Sequence, residues 1–357
     1  MGKAPELMNG VWLTGHGGPE NLEHRDDIPV PRPGSSDVLV RVEAAGVNNT
    51  DINTRTGWYS KGDHDASDAS WSGEALGLPR IQGADVCGTI VGTGESVPSA
   101  RIGERVLIEP CLREAGGETL DPPWYFGSEC DGGFAEYTVV AARHAHKVDT
   151  GLTSAELASF PCSYSTAENM LTRAGVGAGE RVLVTGASGG VGSAAIQLAK
   201  VRGARVIAVT SPSKAAALVD IGADETLGRD ENLVARLGVN SIDAVIDLVA
   251  GPSWPALLDV MRPGGRYAVS GAIAGPIVEL DVRTLYLKDL SFFGCTVLES
   301  DVFANLVALI ERGAIKPLVA ETHPLQRIAD AQEAFQKKGH IGKIVLTVGG
   351  EADPSAR

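Results

Sequence analysis

The segment RVLVTGASGGVGSAAIQLAK, residues 181–200, decides the fold of the central part of this chain. It begins with an apolar, strand-like run, continues through a glycine-rich turn and ends in an alanine-rich segment of helical composition. Compared with the pattern G-x-G-x-x-G, Gly189 and Gly192 are the last two glycines, and Ala187 replaces the first. Because a strand and a helix flank the motif, the segment predicts a turn that binds phosphate groups.

Each feature of this turn has a physical reason. Gly189 would let the backbone approach a pyrophosphate, Gly192 would let the helix pack closely on the strand, and the helix N-terminus would supply free N–H groups. A tight turn without a ligand is the alternative interpretation. The predicted phosphate-binding residues are Gly186, Ala187, Ser188, Gly189, Gly190, Val191 and Gly192.

Residues 154–316 continue the same alternation of short apolar runs and helix-length segments. This pattern predicts βαβ units and a doubly wound parallel sheet with helices on both faces. The predicted strands are Arg181–Thr185, Arg205–Thr210, Ile242–Val249, Arg266–Ser270 and Leu290–Val297. Ligands of such sheets bind outside the carboxyl ends of the strands. Further contacts to a dinucleotide are therefore expected at Val249, Ser270, Gly271, Phe293, Gly294 and Cys295.

The end of the second predicted strand indicates which dinucleotide binds. A protein that prefers NAD usually carries an Asp or Glu there, which holds the ribose 2′-hydroxyl. Here Thr210 is followed by Ser211, Ser213 and Lys214, and the first carboxylate after them is Asp220. Two hydroxyl groups and an ammonium suit a 2′-phosphate, so we expect NADPH. The alternative is that Lys214 is a solvated lysine at the start of a helix.

Residues 1–153 have a different pattern, with short Val- and Ile-rich runs separated by Gly, Pro and Asp. This pattern predicts an antiparallel β domain that closes partly into a barrel. The runs are Val38–Ala45, Val86–Val91, Glu104–Ile108 and Phe134–Val148. Residues 317–357 contain a helix-like segment, Gln326–Lys337, and a last strand, Lys343–Val348, and we expect them to return to the first domain.

A 23-residue segment from Gly57 to Pro79 interrupts this first domain and has almost no periodicity. Segments of this length without secondary structure are usually functional or disordered. Trp58, Tyr59 and Trp71 lie in it, in a chain with only 18 aromatic residues. We predict a mobile surface loop beside the substrate site, and a solvated insertion without function is the alternative.

Composition and charge exclude several classes of protein. With 31 basic and 45 acidic residues, the net charge of −14 argues against a nucleic-acid surface, which needs clustered Lys and Arg. No apolar run reaches the roughly 20 residues of a membrane span, and no signal peptide is evident. Five scattered cysteines argue against a disulfide framework. We therefore expect a cytoplasmic protein without a nucleic-acid or membrane partner.

The whole chain resembles the medium-chain dehydrogenase/reductase superfamily. The motifs that carry the resemblance are AAGVNNTD (Ala44–Asp51), QGADVCGTIVGTG (Gln82–Gly94), GGFAEY (Gly132–Tyr137), GASGGVG (Gly186–Gly192) and LKDLSFFGCTV (Leu287–Val297). The resemblance implies an α/β Rossmann domain over residues 154–316. It also implies a GroES-like, partly closed β-barrel domain formed by residues 1–153 and 317–357.

Zinc alcohol dehydrogenases of this superfamily carry a Cys in the first motif, a His-Glu pair in the second, and a Cys that begins the helix leading to the dinucleotide domain. These positions correspond here to Asn48, to Ala84 with Asp85, and to Cys162. Since Asn and Ala supply neither a thiolate nor an imidazole, and Asp85 with Cys162 would not hold zinc alone, no catalytic zinc site is expected.

Other metal-binding groups are sparse in the sequence. The four-Cys structural lobe of the zinc enzymes is reduced to Cys111 and Cys130, which we interpret as small hydrophobic residues. His144 and His146 share one face of a predicted strand, and Asp63-His64-Asp65 lies in the long segment. Neither group has partners at metal-ligand spacing, so we expect no metal.

Without zinc, the sequence resembles the quinone oxidoreductase and enone reductase branch. The resemblance implies hydride transfer from the nicotinamide C4 to a quinone or to the β-carbon of an α,β-unsaturated carbonyl. Such acceptors are already electrophilic, so orientation and a few hydrogen bonds suffice. Other functions left open are a zinc-dependent alcohol dehydrogenase with atypical ligands and a dinucleotide-binding sensor without turnover.

Candidate catalytic residues lie in and after the first motif. The amide of Asn48 would donate to the acceptor oxygen, where negative charge develops; a turn residue is the alternative. Asp51 and Asn53 could contact the nicotinamide ribose or carboxamide, although Asp51 could equally be a helix N-cap. Tyr59 could donate a proton or stack on a planar acceptor, or simply pack. The resemblance also implies that Lys343 lies near the pyrophosphate.

The last predicted strand of the parallel sheet, Leu290–Val297, would leave an exposed edge. Such edges are commonly covered by pairing with another chain. In the family this edge usually forms a dimer, so we expect a homodimer.

Overall fold

The structure is a computed structural model that describes residues 4–61 and 69–349. The chain divides into two compact units. Unit 1 comprises Met1–Cys162, Pro317–Gly339 and Lys343–Arg357, and unit 2 comprises Ser163–Lys316 and His340–Gly342. The first boundary therefore falls after Cys162, later than the residue 153 that the sequence pattern suggested, and three residues near the C-terminus join unit 2.

Unit 1 is built mainly from short strands. Its N-terminal elements are β1 (Leu7–Leu13), β2 (Leu22–Pro29), β3 (Asp37–Gly46), α1 (Asn49–Thr56), β4 (Asp85–Thr93), β5 (Arg105–Ile108), β6 (Cys111–Ala115), β7 (Glu118–Tyr125), β8 (Tyr137–Ala141), β9 (Ala145–Lys147) and α2 (Ser154–Leu157).

Unit 2 alternates strands and helices. Its elements begin with α3 (Pro161–Arg173), which starts at the end of unit 1, and continue with β10 (Arg181–Val184), α4 (Gly190–Val201), β11 (Arg205–Thr210), α5 (Ala215–Asp220), β12 (Glu225–Gly228), α6 (Leu233–Leu237), β13 (Ile242–Asp247), α7 (Trp254–Val260), β14 (Met261–Val269), α8 (Val282–Leu287), β15 (Ser291–Gly294) and α9 (Val302–Glu311). The chain then returns to unit 1 through β16 (Val319–Pro324), α10 (Ile328–Gln336) and β17 (Lys343–Thr347).

The main sheet of unit 1 has the order β16-β17-β3-β4-β5-β9, and β8 also pairs with β3. The pairs among β3, β4, β5, β8 and β9 are antiparallel, and β17 pairs antiparallel with β3. Val and Ile side chains from these strands fill the core. The prediction of an antiparallel β domain is confirmed, and the C-terminal strand returns to it as expected.

Two hairpins of unit 1 were not anticipated from the sequence. The pairs β1–β2 and β6–β7 each form a two-stranded sheet. In the second, Gly116 and Gly117 both have positive φ and form the tight turn. Half of the β7 side chains are exposed, so the apolar alternation that reveals a strand is missing there.

The sheet of unit 2 has the order β12-β11-β10-β13-β14-β15. All five neighbouring pairs are parallel. This is the doubly wound Rossmann arrangement, whose strand order reverses between β10 and β13, and ligands bind at such a reversal. The predicted fold class is therefore confirmed. Only β12, a short strand with half-exposed side chains, was missed.

No helix among residues 4–61 and 69–349 is both long enough and apolar enough to span a membrane.

Candidate active site

The glycine-rich turn of unit 2 has the geometry that its sequence predicts. Gly186 follows β10 with a φ of +57°, a left-handed conformation that suits glycine. A Cβ on Gly192 would lie 2.3 Å from the Gly186 carbonyl oxygen, so only glycine lets α4 approach the turn this closely. The turn therefore brings the N-terminus of α4 to the carboxyl end of β10.

Gly189 stands at the N-cap of α4, where its missing side chain has no packing role. A Cβ there would meet only the Gly186 carbonyl oxygen, at 3.5 Å, an ordinary contact. The first N–H groups of a helix have no partner within the helix and attract anions. The open backbone at Gly189 and the helix N-terminus fit a pyrophosphate.

The carboxyl end of β11 carries the residues expected to select the dinucleotide. Ser211 and Ser213 lie 3.3 Å apart through their Oγ atoms. Thr210 is buried, and its hydroxyl has no hydrogen-bond partner among the described residues. The ammonium of Lys214 donates to the His340 carbonyl oxygen at 2.7 Å.

Arg229 is a further basic residue at this end of the sheet, and the sequence analysis missed it. It follows β12 directly, and β12 pairs with β11. Burial lowers the pKa of Lys214, and the nearby positive charge of Arg229 lowers it further. Two cations that repel each other are stabilised by an anion placed between them. The sequence signal that could have identified Arg229 is a basic residue directly after β12, the strand that pairs with β11.

A buried carboxylate organises the loop after β13. Asp247 accepts hydrogen bonds from the hydroxyls of Thr185 at 2.5 Å and Tyr267 at 2.6 Å. It also accepts from the backbone N–H groups of Val249 and Ala250. The loop that contains Val249 is thereby held at the carboxyl edge, next to Gly186, where a cofactor contact was predicted.

The other predicted contacts also follow the sheet's carboxyl edge. The N–H of Ser270 donates to the Asp247 carbonyl oxygen, and a Cβ on Gly271 would lie 2.9 Å from the Leu248 carbonyl oxygen. Phe293 and Gly294 end β15, and Cys295 is buried after it, where burial raises the pKa of its thiol. The structure brings these residues to one edge, and their contact with a dinucleotide stays a prediction.

In unit 1, helix α1 begins at Asn48, which has extended backbone angles and is the N-cap. Asp51, the third residue of the helix, accepts a hydrogen bond from the Asn48 backbone N–H at 2.7 Å. A carboxylate at this position is typical of a capping box. The alternative in which Asp51 is itself the N-cap is therefore wrong, since Asn48 holds that position.

The side chain of Asn48 is fully engaged within unit 1. Its Nδ2 donates to an Asp85 carboxylate oxygen at 2.8 Å and to the Gly46 carbonyl oxygen at 3.3 Å. Its Oδ1 accepts from the Lys343 ammonium at 2.5 Å. Because both amide hydrogens already have acceptors, the structure does not support Asn48 as the donor to a substrate oxygen.

Lys343 lies in an ion pair that the sequence analysis did not foresee. Its Nζ is 2.7 Å from Asp85 Oδ2, and the two side chains are 2% and 0% exposed. The other Asp85 oxygen accepts from the Cys162 backbone N–H at 2.5 Å. The Lys343 ammonium therefore lies among three of the positions that were compared with the zinc enzymes. These are Asn48, Asp85 and Cys162. This pairing differs from the pyrophosphate contact that the resemblance implied for Lys343.

Asp51 is a buried carboxyl beside this cluster. Burial raises its pKa from 3.8 to about 7, against the opposing effect of the hydrogen bond from the Asn48 N–H and of the Lys343 charge. Gln82 donates to the Asp51 carbonyl oxygen at 2.9 Å. The Asp51 carboxyl therefore holds the start of α1 and can change its protonation state near neutral pH.

Tyr59 follows α1, and its hydroxyl donates to the Thr50 hydroxyl at 3.2 Å. Burial raises the pKa of Tyr59, so its hydroxyl stays protonated, and hydrogen bonds to Thr50 and Asn53 oppose the shift. Once Thr50 has accepted this hydrogen bond, its own hydrogen is available as a donor. The structure thus brings together the predicted residues Tyr59 and Asn53, and adds Thr50, whose short polar side chain gave no distinctive signal.

A second hydroxyl group lies next to Cys162. The Tyr125 hydroxyl is 2.9 Å from Cys162 Sγ, and burial raises the pKa values of both groups. Ala84 joins them in a small buried cluster, and Trp71 packs against it.

Trp71 belongs to the long segment Gly57–Pro79, whose described part contains no helix or strand. Trp71 and Ser72 are hydrogen-bonded to the turn after β7, and the mobility expected of the segment stays a prediction.

The two histidines of residues 142–147 meet a shared carboxylate. Glu109 Oε2 is 2.8 Å from His144 Nδ1 and 3.4 Å from His146 Nε2. His144 lies in a short 3-10 turn, not in a strand as predicted, and its Nε2 accepts from the Arg113 backbone N–H. The segment Asp63-His64-Asp65 lies outside the described residues. Within residues 4–61 and 69–349, no group of three or more His, Cys, Asp or Glu side chains is arranged to bind a metal.

Comparison with known protein families assigns both parts of the chain. Residues 34–150 match the family described as "Alcohol dehydrogenase GroES-like domain", and residues 190–312 match "Zinc-binding dehydrogenase". Human quinone oxidoreductase is 31% identical over 97% of this chain and 99% of its own length. The acryloyl-coenzyme A reductase of Sulfurisphaera tokodaii is 29% identical over 92% of this chain and 97% of its own.

Among solved structures, a candidate alcohol dehydrogenase from Sinorhizobium meliloti 1021 is similar to this chain, with a TM-score of 0.89 and 46% sequence identity. The similarity covers 97% of this chain and 98% of that chain. The chain therefore belongs to the medium-chain dehydrogenase/reductase superfamily and is an oxidoreductase that uses a nicotinamide dinucleotide. Within that superfamily it belongs to the quinone oxidoreductase-like branch.

Proposed function

We propose that this protein transfers a hydride from NADPH to a quinone or to the β-carbon of an α,β-unsaturated carbonyl, without a catalytic metal. The observation that carries the proposal is the buried group formed by Lys343, Asp85 and Asn48. It stands where zinc alcohol dehydrogenases hold their metal, and it has a positive charge of its own.

The residues at this position do not fit zinc. Catalytic zinc needs about three ligands from thiolate, imidazole or carboxylate groups, and an open position. Here the Asp85 carboxylate is paired with an ammonium, Asn48 supplies only an amide, and burial raises the pKa of the Cys162 thiol to about 12. A lysine ammonium at the centre would also repel a divalent cation.

Hydrogen-bond donors for the acceptor come from the hydroxyl groups of unit 1. When bound, the nicotinamide supplies the hydride, and negative charge then develops on the acceptor oxygen. Neutral donors placed in a buried site stabilise such a charge without reorganising. The Tyr59–Thr50 pair provides one, because Tyr59 donates to Thr50 and leaves the Thr50 hydrogen for the acceptor. We propose this pair in place of Asn48.

The choice of NADPH rests on the carboxyl ends of β11 and β12. Ser211, Ser213, Lys214 and Arg229 combine two hydroxyl groups with two cations, and no carboxylate follows β11 before Asp220. These groups are complementary to a 2′-phosphate. NAD has no phosphate at the ribose 2′ position for these groups to bind.

A substrate panel tests this proposal. NADPH and NADH oxidation should be measured with quinones, enones, enals and carbonyl-free alkenes, and alcohol oxidation with primary alcohols, on protein assayed for bound metal. We expect turnover with NADPH and quinones or enones, and no stoichiometric zinc. Alcohol oxidation that depends on bound zinc would establish the zinc-dependent alternative instead, and tight NADPH binding without any turnover would establish a sensor.

We also propose that the protein is a homodimer. β15 is an edge strand of the unit 2 sheet as described. Exposed apolar side chains lie in the sequence just before it, including Ile277 at 87% and Leu287 at 71%. An unpaired edge beside exposed apolar side chains is suited to pairing with a second copy of the chain.

A further inference from the structure

Trp71 and Tyr125 form a stacked aromatic pair in unit 1. Their ring centroids are 5.1 Å apart and their planes differ by 26°. The pair packs with Ala84 and Cys162. Ala84 stands at the position where the zinc enzymes carry a histidine ligand, so the ring pair lies beside a position that corresponds to a zinc ligand.

The position of Trp71 is held by hydrogen bonds to the turn after β7. The Trp71 backbone N–H donates to Ser128 Oγ at 3.1 Å. The Glu129 carboxylate accepts from the backbone N–H groups of Ser72 at 2.9 Å and Tyr125 at 2.8 Å. One carboxylate therefore ties both rings to the same turn. A surface insertion without function would not need this attachment, since Trp71 itself stays only half-buried.

Tyr125 also keeps a hydroxyl group in the cluster. Phenol and thiol are both protonated, since burial raises the pKa values of Tyr125 and Cys162. Because a phenol is a stronger donor than a thiol, the Tyr125 hydroxyl donates to Cys162 Sγ, and this hydrogen bond holds the Tyr125 ring in the cluster.

We propose that Trp71 and Tyr125 form one wall of the acceptor site and determine its preference for flat, conjugated acceptors over flexible aliphatic ones. This inference rests on the proposed function. A planar quinone would be stabilised by stacking on the ring pair. An aliphatic enal has only a short conjugated group, and its chain would lose conformational entropy on lying flat against the rings.

The test compares naphthoquinone with octenal, each reduced by NADPH, in wild type and in Trp71→Ala, Trp71→Phe and Tyr125→Phe. For Trp71→Ala, we expect kcat/KM for naphthoquinone to fall by roughly three- to tenfold, mainly through KM, with a smaller change for octenal. Trp71→Phe should retain most of the preference, since it keeps a ring. Tyr125→Phe should also retain most of the preference, because it removes only the hydroxyl and keeps the ring.

Leu78→Ala is the matched control, because Leu78 is an exposed apolar residue of the same segment, at 39%. It should leave the ratio of the two kcat/KM values unchanged. Circular dichroism and thermal unfolding identify variants that do not fold, and Trp71→Leu, which also removes the ring but keeps a larger apolar side chain, replaces Trp71→Ala if that variant does not fold. An unchanged quinone-to-enal ratio in the folded variant that lacks the ring overturns the inference. Absence of quinone and enal reduction in the wild type overturns the proposed function instead.

Discussion

Thr50 and Tyr59 show how one hydrogen bond between side chains can create a donor. Tyr59 gives its hydrogen to Thr50, and the Thr50 hydrogen is then directed elsewhere. We expect Thr50→Val to lower kcat for quinones by on the order of tenfold or more, because it removes a donor to the developing oxyanion. Steady-state kinetics measure the effect, and Thr56→Val, on an exposed residue at the end of α1 whose hydroxyl donates to the Ile52 carbonyl oxygen, is the control. Equal kinetics in the two variants would remove Thr50 from the mechanism.

Asp51 links the start of α1 to pH. Its pKa is raised from 3.8 to about 7, chiefly by burial, so the folded chain holds a proton that the unfolded chain has lost over that interval. Unfolding then releases a proton, and the free energy of unfolding contributed by this group falls as pH rises from about 4 to about 7.

The variant Asp51→Asn has no proton at this position to release. We therefore expect urea unfolding at a series of pH values to show a shallower loss of stability between pH 4 and 7 than in wild type, by up to a few kcal/mol over the interval. Asp26→Asn, which alters an exposed carboxyl on β2, should keep the wild-type slope. A slope unaffected by Asp51→Asn contradicts the raised pKa.

The junction of β11 with the helix that follows determines the choice of dinucleotide. We expect Lys214→Glu to raise the KM for NADPH by tenfold or more, because it places a carboxylate beside the 2′-phosphate and leaves Arg229 alone to neutralise it. The KM for NADH should change little. Lys147→Glu, an exposed residue of unit 1, controls for the change in net charge. The prediction fails if Lys214→Glu leaves NADPH affinity unchanged.

At the scale of elements, prediction succeeded where the pattern is local. The strand, glycine turn and helix of residues 181–200 appear as β10 and α4, because propensity and apolar runs act over a few residues. The strands β7 and β12 were missed because their side chains are largely polar or half-exposed. Their backbones pair with neighbours whose positions only the fold establishes.

At the scale of the whole molecule, association through the β15 edge is the open prediction. Size-exclusion chromatography with light scattering should give the mass of a dimer for wild type. Leu287→Glu should shift it towards a monomer, because it buries a charge in the contact. Val239→Glu is the matched control, since Val239 is 61% exposed and Leu287 is 71% exposed. A monomeric wild type at micromolar concentration would contradict the dimer.

The sequence by itself determined the two-part α/β architecture, the phosphate-binding turn and the loss of the usual zinc ligands, because each depends on residues close together in the chain. The tertiary structure decided what replaces those ligands. Lys343 reaches Asn48 across 295 positions of sequence, and no local pattern reveals such a contact. Because of this contact, Asn48 belongs to a buried ion-pair network and is no longer a candidate donor to the substrate. Buried polar groups form hydrogen bonds with neighbours in the fold, and those neighbours are distant in the sequence.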